Sequence, residues 1–453
     1  MLEAMTTSDS FAGGEGPDLT PPRGSTAGPT TGSPSGPTGD SVPGAISGST
    51  PGTGTTRQGP LTDLRVIEMG QLLAGPFCGQ LMADFGAEVI KIEPPGSGDP
   101  MRQWGREKPH GKSLWWPVVA RNKRSVTLNL RTEEGQALVR ELAKGADILI
   151  ENFRPGTLER WNLAPETLAA INPRLIVVRV TGYGQSGPYA PRAGYGAIGE
   201  AMGGLRHVVG DPDSPPSRMG ISIGDELAAV HACMGALMAV HARERTGRGQ
   251  VVDAAIYESV LNMMESLVTE FDVAGHVRER TGAILPNVAP SNVYATADDK
   301  YLLIAANQDT VFKRLAEAMG RPALAEDERY ATHSARGARQ GELDALVDAW
   351  TRTLPLAELE ARLEEHGVPC GLIYRAEDML EDPHFAAREA IVPVEHPDFG
   401  TIRMQNVVPK LSDTPGAVRH VGPALGEHND TVYGELLGLS AETRADYAER
   451  GII

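Results

Sequence analysis

Short runs of Val, Ile and Leu alternate with longer segments of helical period along much of this chain. "LRVIEM" (64–69), "AEVIKIE" (87–93), "SVTLNL" (125–130), "ADILIENF" (146–153) and "RLIVVRVTG" (174–182) read as strands. Between them, "GPFCGQLMADFG" (75–86) reads as a helix with Pro76 in its first turn. "TEEGQALVRELAKG" (132–145) reads as an amphipathic helix, with Thr132 as N-cap and Gly145 as C-cap. Strands that alternate with helices imply an α/β fold with a parallel, doubly wound sheet.

Further on, "GDELAAVHACMGALMAVHARER" (224–245) is a long helix with small and apolar residues on most sides, expected to be buried. "VVDAAI" follows as a strand. Near residue 276 the texture changes. "SNVYATADDKYLLIAAN" (291–307) reads as an antiparallel hairpin with Asp298 and Asp299 at its turn, and Glu-, Arg- and Ala-rich helices run on to about residue 390. Strands resume in "VPVEHPDFGTIRMQNVVPKLS", and a helix is expected after "LGEHND". The division that follows is a tail at 1–58, a large unit at 59–275, a smaller α+β unit at 276–395 and a C-terminal segment at 396–453. The tail is almost entirely Gly, Pro, Ser and Thr, too poor in apolar area to offset its ordering entropy, and is expected to be disordered.

Composition narrows the function classes. Among 453 residues the net charge is −17, which disfavours nucleic acid as a partner. Three scattered cysteines argue for a reducing, cytoplasmic setting and against a disulfide framework or a metal site. No uninterrupted apolar run of membrane-spanning length stands out, so no membrane partner is expected.

Three motifs carry candidate chemistry. Gly182, Gly184 and Gly187 form a G-x-G-x-x-G after a strand, yet Pro188 and Pro191 oppose the helix that a dinucleotide site needs at its third glycine. Gly220-Ile221-Ser222-Ile223-Gly224 has the form of a nucleophile elbow, without an HGGG-type oxyanion loop earlier in the chain. Asp225 follows directly. It reads either as a helix N-cap or as a carboxylate nucleophile that the helix N-terminus would favour in its ionised form, with Glu226 as a neighbouring competitor. Lys91, Arg102, Lys123, Arg124, Arg131, Arg154 and Arg160 gather in the first half of an acidic chain and suggest a phosphate site.

Taken together, "LAGPFCGQLMADFGAEVIKIEPPGSGDPMR", "NKRSVTLNL", "ENFRPGTLERW", "GYGQSGPY", "ISIGDELAA", "RTGRGQVVDAAIYESVLN", "HGVPCG" and "LGEHND" resemble the class III (family III) CoA-transferases from about Gly59 to the C-terminus. The resemblance implies a Rossmann-like large domain formed by both chain ends, an inserted smaller α+β domain, and an interlocked homodimer. It implies a CoA thioester as substrate with no permanently bound cofactor, and a small carboxylic acid as acceptor. Asp225 matches the family nucleophile, which passes the acyl group through an aspartyl anhydride and CoA through an aspartyl-CoA thioester. Leu73 and Ala74 match a segment lining the pantetheine and thioester. Leu128, Asn129, Leu130 and Arg131 match an adenine and phosphate segment; Asn152, Phe153 and Arg160 match a further CoA-binding stretch; Gly194 and Tyr195 match a segment beside the nucleophile.

Departures from formyl-CoA:oxalate CoA-transferase disfavour oxalate and formyl-CoA as substrates; by analogy with the family, a small dicarboxylic donor such as succinyl-CoA is expected. Leu73 stands at a Gln position, Gly196 stands where many members have an acidic residue, and a run of consecutive glycines is missing from the small domain. The alternative within the superfamily is a 2-methylacyl-CoA racemase. Those enzymes resemble this chain but carry a His where Tyr195 stands, and a phenol of ordinary pKa near 10 is a poor base for an α-carbon.

Overall fold

The computed structural model describes residues 58–453, so the tail expected at 1–58 lies outside the described residues except for its last position. Six parallel strands form the central sheet: β1 (Arg65–Glu68), β2 (Glu88–Glu93), β3 (Arg124–Thr127), β4 (Ile148–Glu151), β5 (Ile176–Thr181) and β6 (Val251–Ala255). Their order is β3-β2-β1-β4-β5-β6. The order reverses between β1 and β4, and open sheets of this kind bind ligands beyond the strand carboxyl ends at that point. Strands β2, β4 and β5 are buried along their whole length, as expected of a parallel sheet covered on both faces.

Helix α1 (Ala74–Asp84) follows β1, and α2 (Glu133–Ala143) follows β3. Thr132 caps α2 by accepting from the Gly135 N–H. Gly145 does not take the left-handed C-cap conformation; the helix closes at Lys144 in a right-handed turn. Strand β3 stops at Thr127, short of the expected 125–130, because the next segment is drawn off the sheet. Asn129 N–H donates to Ile452 O at 2.7 Å, and the buried Tyr433 hydroxyl donates to Thr127 O at 2.8 Å. Val432, Tyr433, Ile452 and Ile453 thus join the core around β2 and β3.

Helix α3 (Gly196–Met202) and the 24-residue helix α4 (Ile223–Thr246) follow β5, and α5 (Ile256–Asn262) follows β6. The expectation that α4 is buried holds on one side only. Ala228, Ala229, Ala232, Ala236 and Ala239 pack into the core, while Val230, Met234, Leu237 and Met238 are exposed. Among the described residues, α4 is the helix long and apolar enough to cross a membrane by length and composition, contrary to the sequence expectation. The alanine stripe explains its actual place: small side chains bring it against α1, β5 and β6.

A second, antiparallel sheet joins β7 (Ser291–Ala295) and β8 (Tyr301–Ala305) through the expected turn and adds β9 (Cys370–Leu372). Its hydrophobic cluster, with Phe312, Leu315, Tyr330 and Leu359, is separate from those of the parallel sheet. Strands β10 (Ile391–His396) and β11 (Gly400–Gln405) pair only with each other.

Candidate active site

The loops after β1 and β4 meet at the switch point, and Asn152 ties them together. Its side-chain oxygen accepts from the Gln71 N–H and its amide donates to Gln71 O, both at 2.8 Å. Leu72 has a φ of +64°, a conformation that a non-glycine residue adopts only when its surroundings impose it. The constraint is visible: Leu72 N–H donates to the buried Asp99 carboxylate at 3.1 Å. Asp99 is in turn held by Lys91 at 2.7 Å. The strained turn ends at Leu73 and Ala74, where α1 begins.

Two cavities open around this junction. One, of about 790 Å³, is lined by Leu128, Asn129, Leu130, Arg131, Arg154, Thr157 and the 94–100 loop. The other, of about 210 Å³, is lined by Leu73, Ala74, Asn152, Phe153, Trp104, Gly194, Tyr195 and Asp225. Gln71, Phe153 and Arg154 border both, so the two share a wall. Among the described residues, Asp225 and Arg154 are the charged ones lining the small cavity, and no His lines it.

Asp225 occupies the third position of α4 and does not cap it; Ser222 stands at the N-cap. Among the described residues no hydrogen-bond donor reaches the Asp225 carboxylate. Burial, then the neighbouring Glu200 and Glu226, push its pKa up to about 6 from an ordinary 3.8, against a smaller pull from Arg218. The helix N-terminus, expected to favour the ionised form, is here opposed by desolvation and like charge. The carboxylate also lies flat against α3. A Cβ added to Gly196 would stand 2.2 Å from Asp225 Oδ2, so the missing side chain at this position makes the room that Asp225 fills.

The remaining motifs resolve in the same region. No helix opens at Gly187; α3 starts only at Gly196. Gly182 serves a close backbone approach, since a Cβ there would lie 2.7 Å from Gly194 Cα. That contact folds the loop after β5 back on itself and sets Gly194 and Tyr195 on the cavity wall. Tyr195 is 65% exposed. The segment before Ser222 is not a strand, so the strand–turn–helix of a nucleophile elbow is absent there.

The expected phosphate cluster divides. Lys91 and Lys123 are buried against Glu68, Arg102 is paired with Glu93, and Arg124 with Glu88. These four cations hold the sheet and its loops. Arg131 and Arg154 line the large cavity. Arg160 does not line either one; it donates to Thr157 Oγ1 at 2.9 Å, and Thr157 lines the large cavity. Gln71 and Trp104 were not among the expected site residues, and Arg154 was expected only as one of the phosphate cations. Only Arg154 had given a sequence signal, through its charge.

Comparison with known proteins identifies the family. The model of CoA-transferase family III matches residues 61–429. The chain is 59% identical to the succinyl-CoA–D-citramalate CoA-transferase of Chloroflexus aurantiacus over 87% of this chain and 98% of that one. It is 42% identical to the succinyl-CoA–L-malate CoA-transferase beta subunit of the same organism, over 88% of this chain and all of that one. A crystal structure of a CaiB/BaiF family protein from Brucella suis superposes with a TM-score of 0.76 at 36% identity, covering 84% of this chain and 100% of that chain.

Proposed function

Since this chain belongs to CoA-transferase family III and is a CoA-transferase, we propose that Asp225 carries CoA from succinyl-CoA to a second small dicarboxylic acid. The observation that carries the proposal is the position of Asp225. Among the described residues it is the single carboxylate lining a small cavity whose wall is shared with a large one bearing Arg131 and Arg154. The large cavity suits the nucleotide end of CoA, with those guanidinium groups available to its phosphates. Pantetheine crosses the shared wall past Phe153, and the thioester reaches Asp225.

A carboxylate oxygen of Asp225 attacks the acyl carbon. The C–S bond breaks, CoA thiolate leaves, and a mixed anhydride remains. The thiolate attacks the aspartyl carbonyl, giving aspartyl-CoA and releasing the donor acid. The acceptor carboxylate then attacks that thioester and expels the thiolate, which takes the new acyl group from the second anhydride and frees Asp225. Each step trades one activated carboxyl for another, so no nucleotide triphosphate is required. A carboxylate with its pKa raised to about 6 is still ionised at neutral pH and is a stronger nucleophile than one of ordinary basicity.

Succinyl-CoA as donor, and a hydroxy- or methyl-substituted dicarboxylate as acceptor, follow the reactions named for the two relatives above. The reading also includes a large domain from 59–275 and 396–453, an inserted domain at 276–395, and an interlocked homodimer in a cytoplasmic setting. The exposed face of α4 supports the dimer. With Phe77, Phe85, Val408 and Leu411 it lines an apolar groove of about 980 Å³, the kind of surface that a second copy covers.

The test is exchange of isotopically labelled succinate into succinyl-CoA, followed by a panel of acceptor acids. Wild-type protein exchanges label, and Asp225→Ala loses at least roughly a thousandfold. Hydroxylamine added with succinyl-CoA converts Asp225 to a hydroxamate, seen by peptide mass. Full exchange by Asp225→Ala would exclude it as the nucleophile.

A further inference from the structure

Resting on the reading of Asp225 as nucleophile, we propose that Glu200 is its positioning residue, clamping the first turn of α4 onto α3 and holding a second carboxylate directly behind the reacting one. Glu200 lies outside the lining of both cavities and is 2% exposed. One of its oxygens accepts from the Gly224 N–H at 3.3 Å, the amide immediately before Asp225. The other accepts from Arg206 Nε at 2.6 Å. The clamp is tight because glycines meet on both sides. A Cβ on Gly224 would stand 2.9 Å from the Glu200 side chain, and one on Gly196 would strike the Asp225 carboxylate. Gly196 and Glu200 are four residues apart on α3, hence on one face. One turn of that helix therefore contacts both the nucleophile and the amide that precedes it.

The amide of Gly224 is one of the first-turn donors of α4 that lack an intrahelical partner. With Glu200 upon it, this donor does not serve Asp225. The charged and titratable groups around Asp225 are Glu200 from α3, Glu226 from its own helix, Arg218 from the segment before it, and Tyr195 and Arg154 around the cavity. Arg206 stands behind Glu200. From α5 the neighbour is the apolar Ile256, and from the start of α1 Leu73 and Ala74. Glu200 is the foremost like charge acting on Asp225, ahead of Glu226. It makes the nucleophile more basic while leaving the cavity free for substrate.

The experiment is the pH profile of succinate–succinyl-CoA exchange for wild type, Glu200→Gln, Glu200→Asp and Asp225→Ala. Wild-type activity falls as pH drops through about 6, where Asp225 takes up its proton. Glu200→Gln keeps an acceptor for the Gly224 amide and removes the charge. Its acid limb moves down by on the order of one pH unit, with KM for succinyl-CoA unchanged. Glu200→Asp keeps the charge and shortens the clamp by one methylene. Its limb stays near that of wild type while kcat falls roughly tenfold, since a small misplacement of a reacting group costs this much or more. An unmoved acid limb in Glu200→Gln, or an unchanged kcat in Glu200→Asp, overturns the proposal while Asp225→Ala is still inactive. Activity in Asp225→Ala would instead overturn the underlying reading, so the two failures are distinguishable.

Discussion

Glu68 and Asp225 are both acidic groups set into the interior near the strand carboxyl ends, and they are surrounded in opposite ways. Glu68 has two buried lysines for neighbours: Lys91 at 3.2 Å and Lys123 at 2.8 Å, met as ion pairs rather than as aligned hydrogen bonds. Asp225 has another carboxylate, Glu200, as its foremost charged neighbour. The pairs around Glu68 extend into backbone: Lys123 donates to Pro76 O at 2.6 Å, and Lys91 to Gly70 O. Burial opposes the Lys91 ammonium, yet Asp99, Glu68 and Glu93 together hold its pKa above the ordinary range. Compensated charge thus fixes the turn that carries Leu72 to Ala74. At Asp225 the carboxylate that faces the cavity has no such counter-charge among the described residues. A buried ion pair is weak evidence for stability but strong evidence for a fixed geometry once each partner depends on the other.

The contrast can be broken from either side. Lys123→Met leaves Glu68 with one cation and frees Pro76 O, and should destabilise the fold by about 3–5 kcal/mol. Urea unfolding followed by circular dichroism reads this directly. An unchanged midpoint would mean that the pair contributes nothing to the scaffold. Next, Gly196→Ala places a methyl group on the Asp225 carboxylate; exchange activity should fall roughly a hundredfold, with the fold retained. Equal activity would show that Asp225 reacts from a different rotamer.

The smallest effect has the opposite sign. Folded Asp225 keeps its proton up to about pH 6, whereas its ordinary pKa is 3.8. Between these values the folded state binds more protons than the unfolded, so stability falls as pH rises. Asp225→Asn should therefore be more stable than wild type at pH 7.5, by about 1–3 kcal/mol, with the gain fading toward pH 4. Denaturation midpoints at the two pH values check it. An Asn variant less stable than wild type at pH 7.5 would mean that Asp225 is better compensated than its neighbours indicate.

The strand and helix pattern was legible because apolar runs and Thr132-type caps are local. The lack of a nucleotide-binding helix after Gly187 was legible, since Pro188 and Pro191 act on their own backbone. Seven basic residues looked alike in sequence, yet only Arg131 and Arg154 line the large cavity, because pairing with Glu68, Glu88 and Glu93 is decided across β1, β2 and β3. Glu200 gave no signal, since nothing in the chain shows that it meets the amide of residue 224.

By itself the sequence determined the parallel α/β architecture, because hydrophobic period is a local property of the chain, and it offered Asp225 as a candidate that the family resemblance then favoured over Glu226. Only the tertiary structure decided which charges are neutralised and which are not. Burial and the distance to a counter-charge belong to packing, and these two quantities separate a carboxylate that holds the scaffold from one free to act as a nucleophile.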